Sequence, residues 1–212
     1  SLRSIVTIGW NCPRAIHTDA PPHVSIRLTI APDARMPLSG MPITSNGAIR
    51  FQVENALAAI GAAWALNLPW DNIKASLATF ISDAQAVPGR FNLFDYQGAT
   101  LIADYGHNPD AIQALSDAVK NMPAKQRMVV ISGAGDRRDE DIRQQTRILG
   151  TAFDEVVLYE DACQRGRVEG EVVALLRQGL QGATKTRRVH EVKGEFNAID
   201  LALDRLQPGD LC

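Results

Sequence analysis

Cysteine is scarce. The chain holds three, Cys12, Cys163 and Cys212, with no Cys-x-x-Cys pair and an odd count, which excludes a disulfide framework and fits a reducing cytoplasm. Neither sign of charge dominates: the formal net charge is -2 at pH 7. The densest basic spots, Arg137-Arg138 and Lys185 to Arg188, are too short for a nucleic-acid surface. No apolar stretch approaches the length of a membrane span, and the first residues lack the charged-then-apolar layout of a signal peptide. A soluble, cytoplasmic chain with neither a nucleic-acid nor a membrane partner is therefore expected. What is present suffices for a sizeable core, since 45% of the 212 residues are apolar, enough for one large domain or a small one with an appendage.

The order of elements can be read coarsely. Ser4 to Trp10 and Val24 to Ile30 are β-branched, alternating stretches separated by Pro13 and by Pro21-Pro22, and predict two strands. Ala31 to Asn46 has no period and predicts a loop. Ser45-Asn46-Gly47 predicts a turn before a short strand, Ala48 to Phe51. Glu54 to Leu66 is dense in Ala, with apolar side chains on nearly every face, which predicts a core helix packed on more than one side. A second helix is expected from Trp70, with Ile73, Leu77, Phe80 and Ile81 at helical spacing. Beyond Pro88-Gly89 the rhythm changes. Apolar runs at Thr100 to Ala103, Met128 to Ile131 and Glu155 to Tyr159 alternate with helical stretches at Asp110 to Asn121, Glu140 to Leu149 and Gly170 to Leu180. A last strand near Arg187 to His190 and a helix from Glu195 to Leu206 follow. That alternation predicts an α/β fold with a largely parallel sheet. The final residues, Gln207 to Cys212, read as a turn and the first residues of a strand, as if the chain were cut there.

Three constellations could carry chemistry. In the first, Asp104 closes a short apolar strand and His107 and Asn108 follow, at the edge of an α/β sheet where ligands bind. Asn108 suits a helix N-cap, Pro109 the first helical position and Asp110 the helix dipole. A capped helix thus accounts for Asn108 to Asp110, but not for an acidic residue ending a strand or for His107 above it. Asp104, His107 and Asp110 are acceptable metal ligands, yet nothing elsewhere closes a ligand set, so no metal site is assigned. In the second, Ser132-Gly133-Ala134-Gly135 follows an apolar strand and precedes the charged run Asp136 to Asp141. Helix-start amides there could cradle an anion. A dinucleotide fingerprint fails at Arg138, where a small residue is needed, although Glu160 and Asp161 fall near where a ribose ligand would be. A solvated first helical turn is the plain alternative. In the third, Arg90 stands just past the junction Pro88-Gly89, where a guanidinium could clamp phosphate or carboxylate; an ordinary surface arginine fits the local residues equally well.

Taken together, Val53 to Ala59, then Pro88-Gly89-Arg90-Phe91-Asn92, then Asp104-Tyr105-Gly106-His107-Asn108-Pro109 resemble the back half of a Mur-type ligase. Gly133 to Ile142, Phe153 to Asp161, Arg165-Gly166-Arg167 and Pro208 to Leu211 point within that family to the cyanophycin synthetases. The resemblance covers about residues 36 to 212. It implies an α/β architecture: a Rossmann-like, mostly parallel sheet flanked by helices over residues 88–212, preceded over residues 1–87 by a partial α/β segment, the tail of a central ATP-binding domain. It also implies an ATP- and Mg2+-dependent amide ligase that turns a carboxylate into an acyl phosphate and lets an amine displace the phosphate. In the cyanophycin branch that amine belongs to arginine, and the acceptor is the side chain of a polyaspartate backbone. Carried over by motif, Asn55 would lie against adenine, Arg90 would reach the nucleotide phosphates, and Asp104 would hold the ribose or the domain hinge. His107 and Asn108 would line the closed active site. Asp136, Asp139, Glu140 and Asp161 become candidates for meeting a substrate guanidinium, because planar carboxylates pair with it bidentately. Closure around a water-sensitive intermediate predicts a contact-poor hinge near Val87 to Arg90. The full-length protein is expected to be a homo-oligomer.

One departure is large. The phosphate-binding string Gly-x-x-x-x-Gly-Lys-Ser/Thr of Mur ligases is nowhere in the sequence, and the glutamate and histidine that would hold magnesium cannot be placed. The chain is therefore expected to be a fragment that ligates nothing alone. Two other readings stand beside it: another amino-acid-adding Mur ligase of the peptidoglycan-precursor type, and a stand-alone nucleotide- or dinucleotide-binding module.

Overall fold

The computed structural model describes residues 6–10, 24–28 and 36–212, and the chain divides into two compact units, Ser1–Ile81 and Ser82–Cys212. In the first unit β1 (Val6–Trp10) and β2 (Val24–Leu28) pair antiparallel, with Val6 opposite Leu28. The outer ends expected for these strands, the loops around Pro13 and Pro21-Pro22, Cys12 and the start of the loop from Ala31 lie outside the described residues. Within the described part of that loop, two short 3-10 turns form at Leu38–Gly40 and Pro42–Thr44.

The strand expected over Ala48 to Phe51 does not form. Ser45, Asn46 and Gly47 all take left-handed φ angles of 47°, 58° and 86°, and buried Thr44 pins the reversal by bonding the Leu38 and Met41 carbonyls and the Gly47 amide. The Ile49 carbonyl then accepts from the Gln52 and Val53 amides, so the chain enters α1 (Arg50–Ala65) directly. Short apolar runs do not distinguish strand from helix by pattern alone. Nor is α1 packed on several sides: among the described residues its buried positions are Gln52, Ala56, Ile60 and Gly61, one stripe at helical spacing, while Leu57 is exposed. Alanine makes a good helix whether or not its face is covered. The second helix, α2 (Trp70–Thr79), buries Ile73 and stops before Phe80 and Ile81, both exposed.

In the second unit β3 (Asn92–Tyr96) and β4 (Ala99–Ala103) form an antiparallel hairpin, while β5 (Met128–Ile131), β6 (Glu155–Glu160) and β7 (Arg188–Lys193) form a parallel sheet in the order β5-β6-β7. Residues 210–212 join the two. On one side the Thr100 amide donates to the Asp210 carbonyl and the Ile102 amide to the Cys212 carbonyl; on the other the Met128 amide donates to the Leu211 carbonyl. Leu211 thus bridges β4 and β5 in parallel register, as the strand-like end of the sequence suggests. The Val156 to Leu158 run of β6 is fully buried, as parallel strands covered on both faces are.

Helices α3 (Pro109–Lys120), α4 (Asp139–Leu149) and α5 (Glu171–Gly179) contribute Ile112, Val119, Ile142, Leu149, Val172 and Leu176 to one core. A second apolar cluster is built from Met128, Val157 and, on α6 (Glu195–Arg205), Ala198 and Ala202. Beneath it the nearly buried Glu155 carboxylate ties the sheet to α6. It accepts from Arg188 and His190 of β7, each at 2.7 Å, and from Arg205 at the helix end. The order matters for function: after β7 the chain passes through α6 and returns to the place between β4 and β5. In open α/β sheets ligands bind at the carboxyl edge beside such a reversal.

Candidate functional site

The loop after β4 lies at that edge. Asp104 spends both carboxylate oxygens on backbone: Oδ2 accepts from the Phe91 amide at 2.9 Å and Oδ1 from the Gly106 amide at 2.7 Å. The Tyr105 amide donates to the Gly89 carbonyl at 2.8 Å. His107 Nδ1 sits 3.1 Å from the Tyr105 carbonyl, and the two rings tilt together with centroids 5.3 Å apart. The His107 carbonyl accepts from Gln145, a buried residue of α4. Asn108 is the N-cap of α3, its Oδ1 accepting from the Ala111 amide at 2.9 Å, with Pro109 at the first helical position. Tyr105, His107 and Asn108 are all exposed.

Facing this loop is the segment before β3. Gly89 has φ 69° and the buried Phe91 has φ 54°, an uncommon conformation for a side chain with a Cβ and one that neighbours must enforce. The enforcing groups are Asp104 and Asn92. Asn92 is 1% exposed; its Oδ1 accepts from the Gly89 amide, and its Nδ2 donates to the Ser82 and Val87 carbonyls. Ser82 in turn donates its hydroxyl to the Arg90 carbonyl. The contact-poor hinge expected over Val87 to Arg90 is therefore not observed: the backbone there is bonded at nearly every residue. A cavity of about 470 Å3 is lined by Asp104, Tyr105 and Gly106 together with apolar Ile112, Val130 and Leu211.

The loops after β5 and β6 are fastened to each other by Arg167. Its guanidinium donates to the Gly135 carbonyl at 2.7 Å, the Arg137 carbonyl at 2.7 Å, Asp139 at 2.8 Å and Glu171. Asp139 and Glu171 hold it further above the ordinary arginine value. The approach is so close that a Cβ on Gly135 would stand 2.2 Å from the Gln164 carbonyl oxygen, and one on Gly133 would stand 2.9 Å from Val172 Cγ1. These glycines serve loop and helix packing. The Gly135 carbonyl is taken up by Arg167, and Arg138 stands where a dinucleotide fingerprint needs a small residue. Tyr159, at the end of β6, is pushed up to about 12 by burial and by the carboxylates of Glu195 and Asp161.

The candidate site residues fall into three groups. Arg90, Asp104, His107 and Asn108 come together on the β3 and β4 loops of the second unit. Asn55 belongs to the first unit, on α1, where its Nδ2 donates to Gln52 at 3.0 Å. The proposed guanidinium partners are mostly engaged with the chain's own cations: Asp136 with Arg165 at 3.2 Å, Asp139 with Arg167, and Glu140 with Arg147 at 2.8 Å, while Asp161 accepts from the Cys163 amide. Among the described residues, no group of three or more His, Cys, Asp or Glu is placed to hold a metal ion, and no helix is long and apolar enough to cross a membrane. Sequence reasoning missed Asn92 as a structural hub, although its position two residues after Arg90 in the shared motif marked it, and it missed Gln145, for which the polar pair Gln145-Thr146 between apolar Ile142 and Ile148 was the signal.

Comparison with known proteins bears on the family and the fold. The family model described as Mur ligase, glutamate ligase domain, matches residues 89–212. A cyanophycin synthetase of Trichormus variabilis is 36% identical over 164 residues, covering 77% of this chain and 18% of that protein. A UDP-N-acetylmuramoyl-L-alanyl-D-glutamate--2,6-diaminopimelate ligase of Xanthomonas oryzae pv. oryzae is 32% identical over 163 residues, covering 73% of this chain and 32% of that one. Among solved structures, a ligase of the latter name superposes with a TM-score of 0.53 at 25% identity, over 76% of this chain and 32% of the other. The MurF ligase from Thermotoga maritima in complex with ADP superposes with a TM-score of 0.52 at 24% identity, over 76% of this chain and 33% of that one. The chain spans about a fifth of the length of the cyanophycin synthetases it matches.

Proposed function

The chain belongs to the Mur ligase family, and from that premise we propose that it forms part of an ATP-dependent carbon-nitrogen ligase that adds arginine to the aspartate side chains of cyanophycin. In this reading, residues 88–212 are the C-terminal domain of that ligase and residues 1–87 the tail of its central domain. The carboxylate substrate attacks the γ-phosphorus of ATP, releasing ADP and leaving an acyl phosphate. The amine of arginine then attacks the acyl carbon, the carbon-oxygen bond to phosphate breaks, and the amine gives up a proton as the amide forms. An intermediate so easily hydrolysed must be kept from water until the amine arrives.

The observation that carries the reading is Arg90. Its carbonyl accepts from Ser82, the amides of its neighbours Gly89 and Phe91 are held by Asn92 and Asp104, and its guanidinium makes no hydrogen bond or ion pair among the described residues. An anchored, unpaired guanidinium at the carboxyl edge of a sheet suits a phosphate contact, where its fork of donors meets two oxygens at once. Asp104, expected to hold either ribose or hinge, is given to the loop by its own bonds. His107 and Asn108 would line the closed active site and Asn55 would lie against adenine; all three side chains are exposed. The described residues offer no three-ligand set for the magnesium of ATP.

For arginine, Asp136 and Asp161 are the better candidates. Among the described residues Asp161 has no cation of its own, and the Asp136–Arg165 pair is about half exposed on both sides, at 54% and 47%, hence weak and exchangeable. Asp139 is held by Arg167, whose side chain is only 15% exposed. The diaminopimelate-ligase relative favours a second reading, in which the amine is that of another amino acid. The test is amine-dependent ADP release by the enzyme that contains this chain. Release with arginine and polyaspartate, and a product heavier by one arginine less water, supports the first reading; release with diaminopimelate and not arginine supports the second.

A further inference from the structure

We propose that Asn92 is the positioning residue for Arg90: it folds the preceding loop so that the guanidinium is presented to the nucleotide phosphates. The inference rests on the reading of Arg90 given above. It goes beyond that reading by naming the group that enforces the geometry.

Asn92 is the first residue of β3 and is 1% exposed. Its side chain has one acceptor and one doubly donating nitrogen, and both ends are used. Oδ1 takes the Gly89 amide at 2.7 Å; Nδ2 gives to the Val87 carbonyl at 3.1 Å and the Ser82 carbonyl at 3.2 Å. No other side chain of this length offers that pattern. An aspartate would keep the Gly89 contact but turn a carboxylate toward two carbonyls, and a leucine would orphan all three groups, which is costly where water cannot reach. Gly89 is consequently held from both sides, its amide by Asn92 and its carbonyl by the Tyr105 amide. Gly89 and Phe91 flank Arg90 with φ angles of 69° and 54°, so the peptide direction at Arg90 is set by two left-handed residues. Fixing the backbone in advance removes ordering cost that phosphate binding would otherwise carry.

Two measurements test this. In the 212-residue chain, Asn92→Ala should speed amide hydrogen exchange at Gly89 by about tenfold or more, the equivalent of one lost buried hydrogen bond, while protection at Val156 to Leu158 stays as in the wild type. That core control separates a loosened loop from a misfolded chain. Unchanged exchange at Gly89 overturns the proposal. In the enzyme that contains the chain, Asn92→Ala and Asn92→Asp should each raise the KM for ATP by about tenfold and move kcat less, and Asn92→Ala should add nothing in an Arg90→Ala background. Full additivity of the two changes means that Asn92 does not act through Arg90 and also overturns the proposal. An Arg90→Ala enzyme with wild-type KM for ATP would instead remove the phosphate role of Arg90, and with it the purpose assigned to Asn92, even where the Gly89 exchange result stands.

Discussion

Asp104 Oδ2 accepts the backbone amide of Phe91 at 2.9 Å, across 13 positions of sequence. The bond joins the end of β4 to the segment entering β3 and holds a buried phenylalanine in a left-handed conformation. With Oδ1 on the Gly106 amide, the carboxylate builds both loops that carry the exposed candidate groups, Arg90 on one side and His107 on the other.

Replacing Asp104 by alanine leaves two amides without acceptors and Phe91 without its restraint. We expect a loss of about 1–3 kcal/mol, read as a lower denaturant midpoint with unchanged slope, together with lower ATP-dependent turnover in the whole enzyme. Asp104→Asn keeps one acceptor and should fall between. An alanine variant as stable as wild type would show that the loops close without it.

Gly135→Ala tests the packing of the β5 and β6 loops. The added Cβ would lie 2.2 Å from the Gln164 carbonyl oxygen, a backbone atom that cannot swing aside, so the loop must shift at a cost of about 1–3 kcal/mol. A lower thermal midpoint is expected, with no nicotinamide dinucleotide binding in either form. Tight dinucleotide binding by the wild type that the substitution abolishes would restore the cofactor reading.

Arg165 and Arg167 should separate cleanly. Arg167→Ala breaks four contacts, two to the loop after β5 and one each to the first residues of α4 and α5, and should cost about 1–3 kcal/mol. Arg165→Ala removes an exposed pair and should cost less than about 1 kcal/mol. If Asp136 meets the substrate guanidinium, the Arg165 variant also lowers the KM for arginine by freeing that carboxylate; an unchanged or raised KM removes Asp136 from the arginine site.

Glu155 gives a pH signature. Burial pushes its carboxyl up, but Arg205, His190 and Arg188 outweigh it, so the folded value lies below the ordinary 4.5. A carboxyl lowered in the folded state contributes stability that is fully present above its unfolded value and is lost as pH falls through the folded one. Wild type should therefore exceed Glu155→Gln by about 3 kcal/mol near neutrality, and the gap should narrow only below about pH 4.5. A gap that is constant down to pH 3 would contradict the assignment.

The sequence made the second unit legible because its signals were local and mutually consistent. Asn108, Pro109 and Asp110 marked the start of α3, and the uniformly apolar Val156 to Leu158 marked a covered strand. Pro208-Gly209-Asp210 marked the turn that sends Leu211 into the sheet. What stayed hidden depended on distant partners. Ala48 and Ile49 lead into a helix that begins at Arg50 instead of a strand because Thr44 fixes the reversal ahead of them, and the alanines of α1 carry no sign of which face is covered. Arg165, Arg167 and Arg147 could not be matched to Asp136, Asp139 and Glu140 without coordinates, since the three pairs are set by how the loops and α4 fold. Asp104 was visible as an acidic residue closing a strand, but its use on the Phe91 and Gly106 amides was not.

The measurement that bears most directly on the central claim is oxygen transfer during turnover. The whole enzyme would be given an acceptor whose side-chain carboxylates carry oxygen-18, with ATP and arginine, and the released phosphate analysed by mass spectrometry. An acyl phosphate requires one carboxylate oxygen to leave with phosphate, so each phosphate should carry a single heavy oxygen, at a rate that falls in the Arg90→Ala enzyme. Amide product accompanied by unlabelled phosphate would contradict the account.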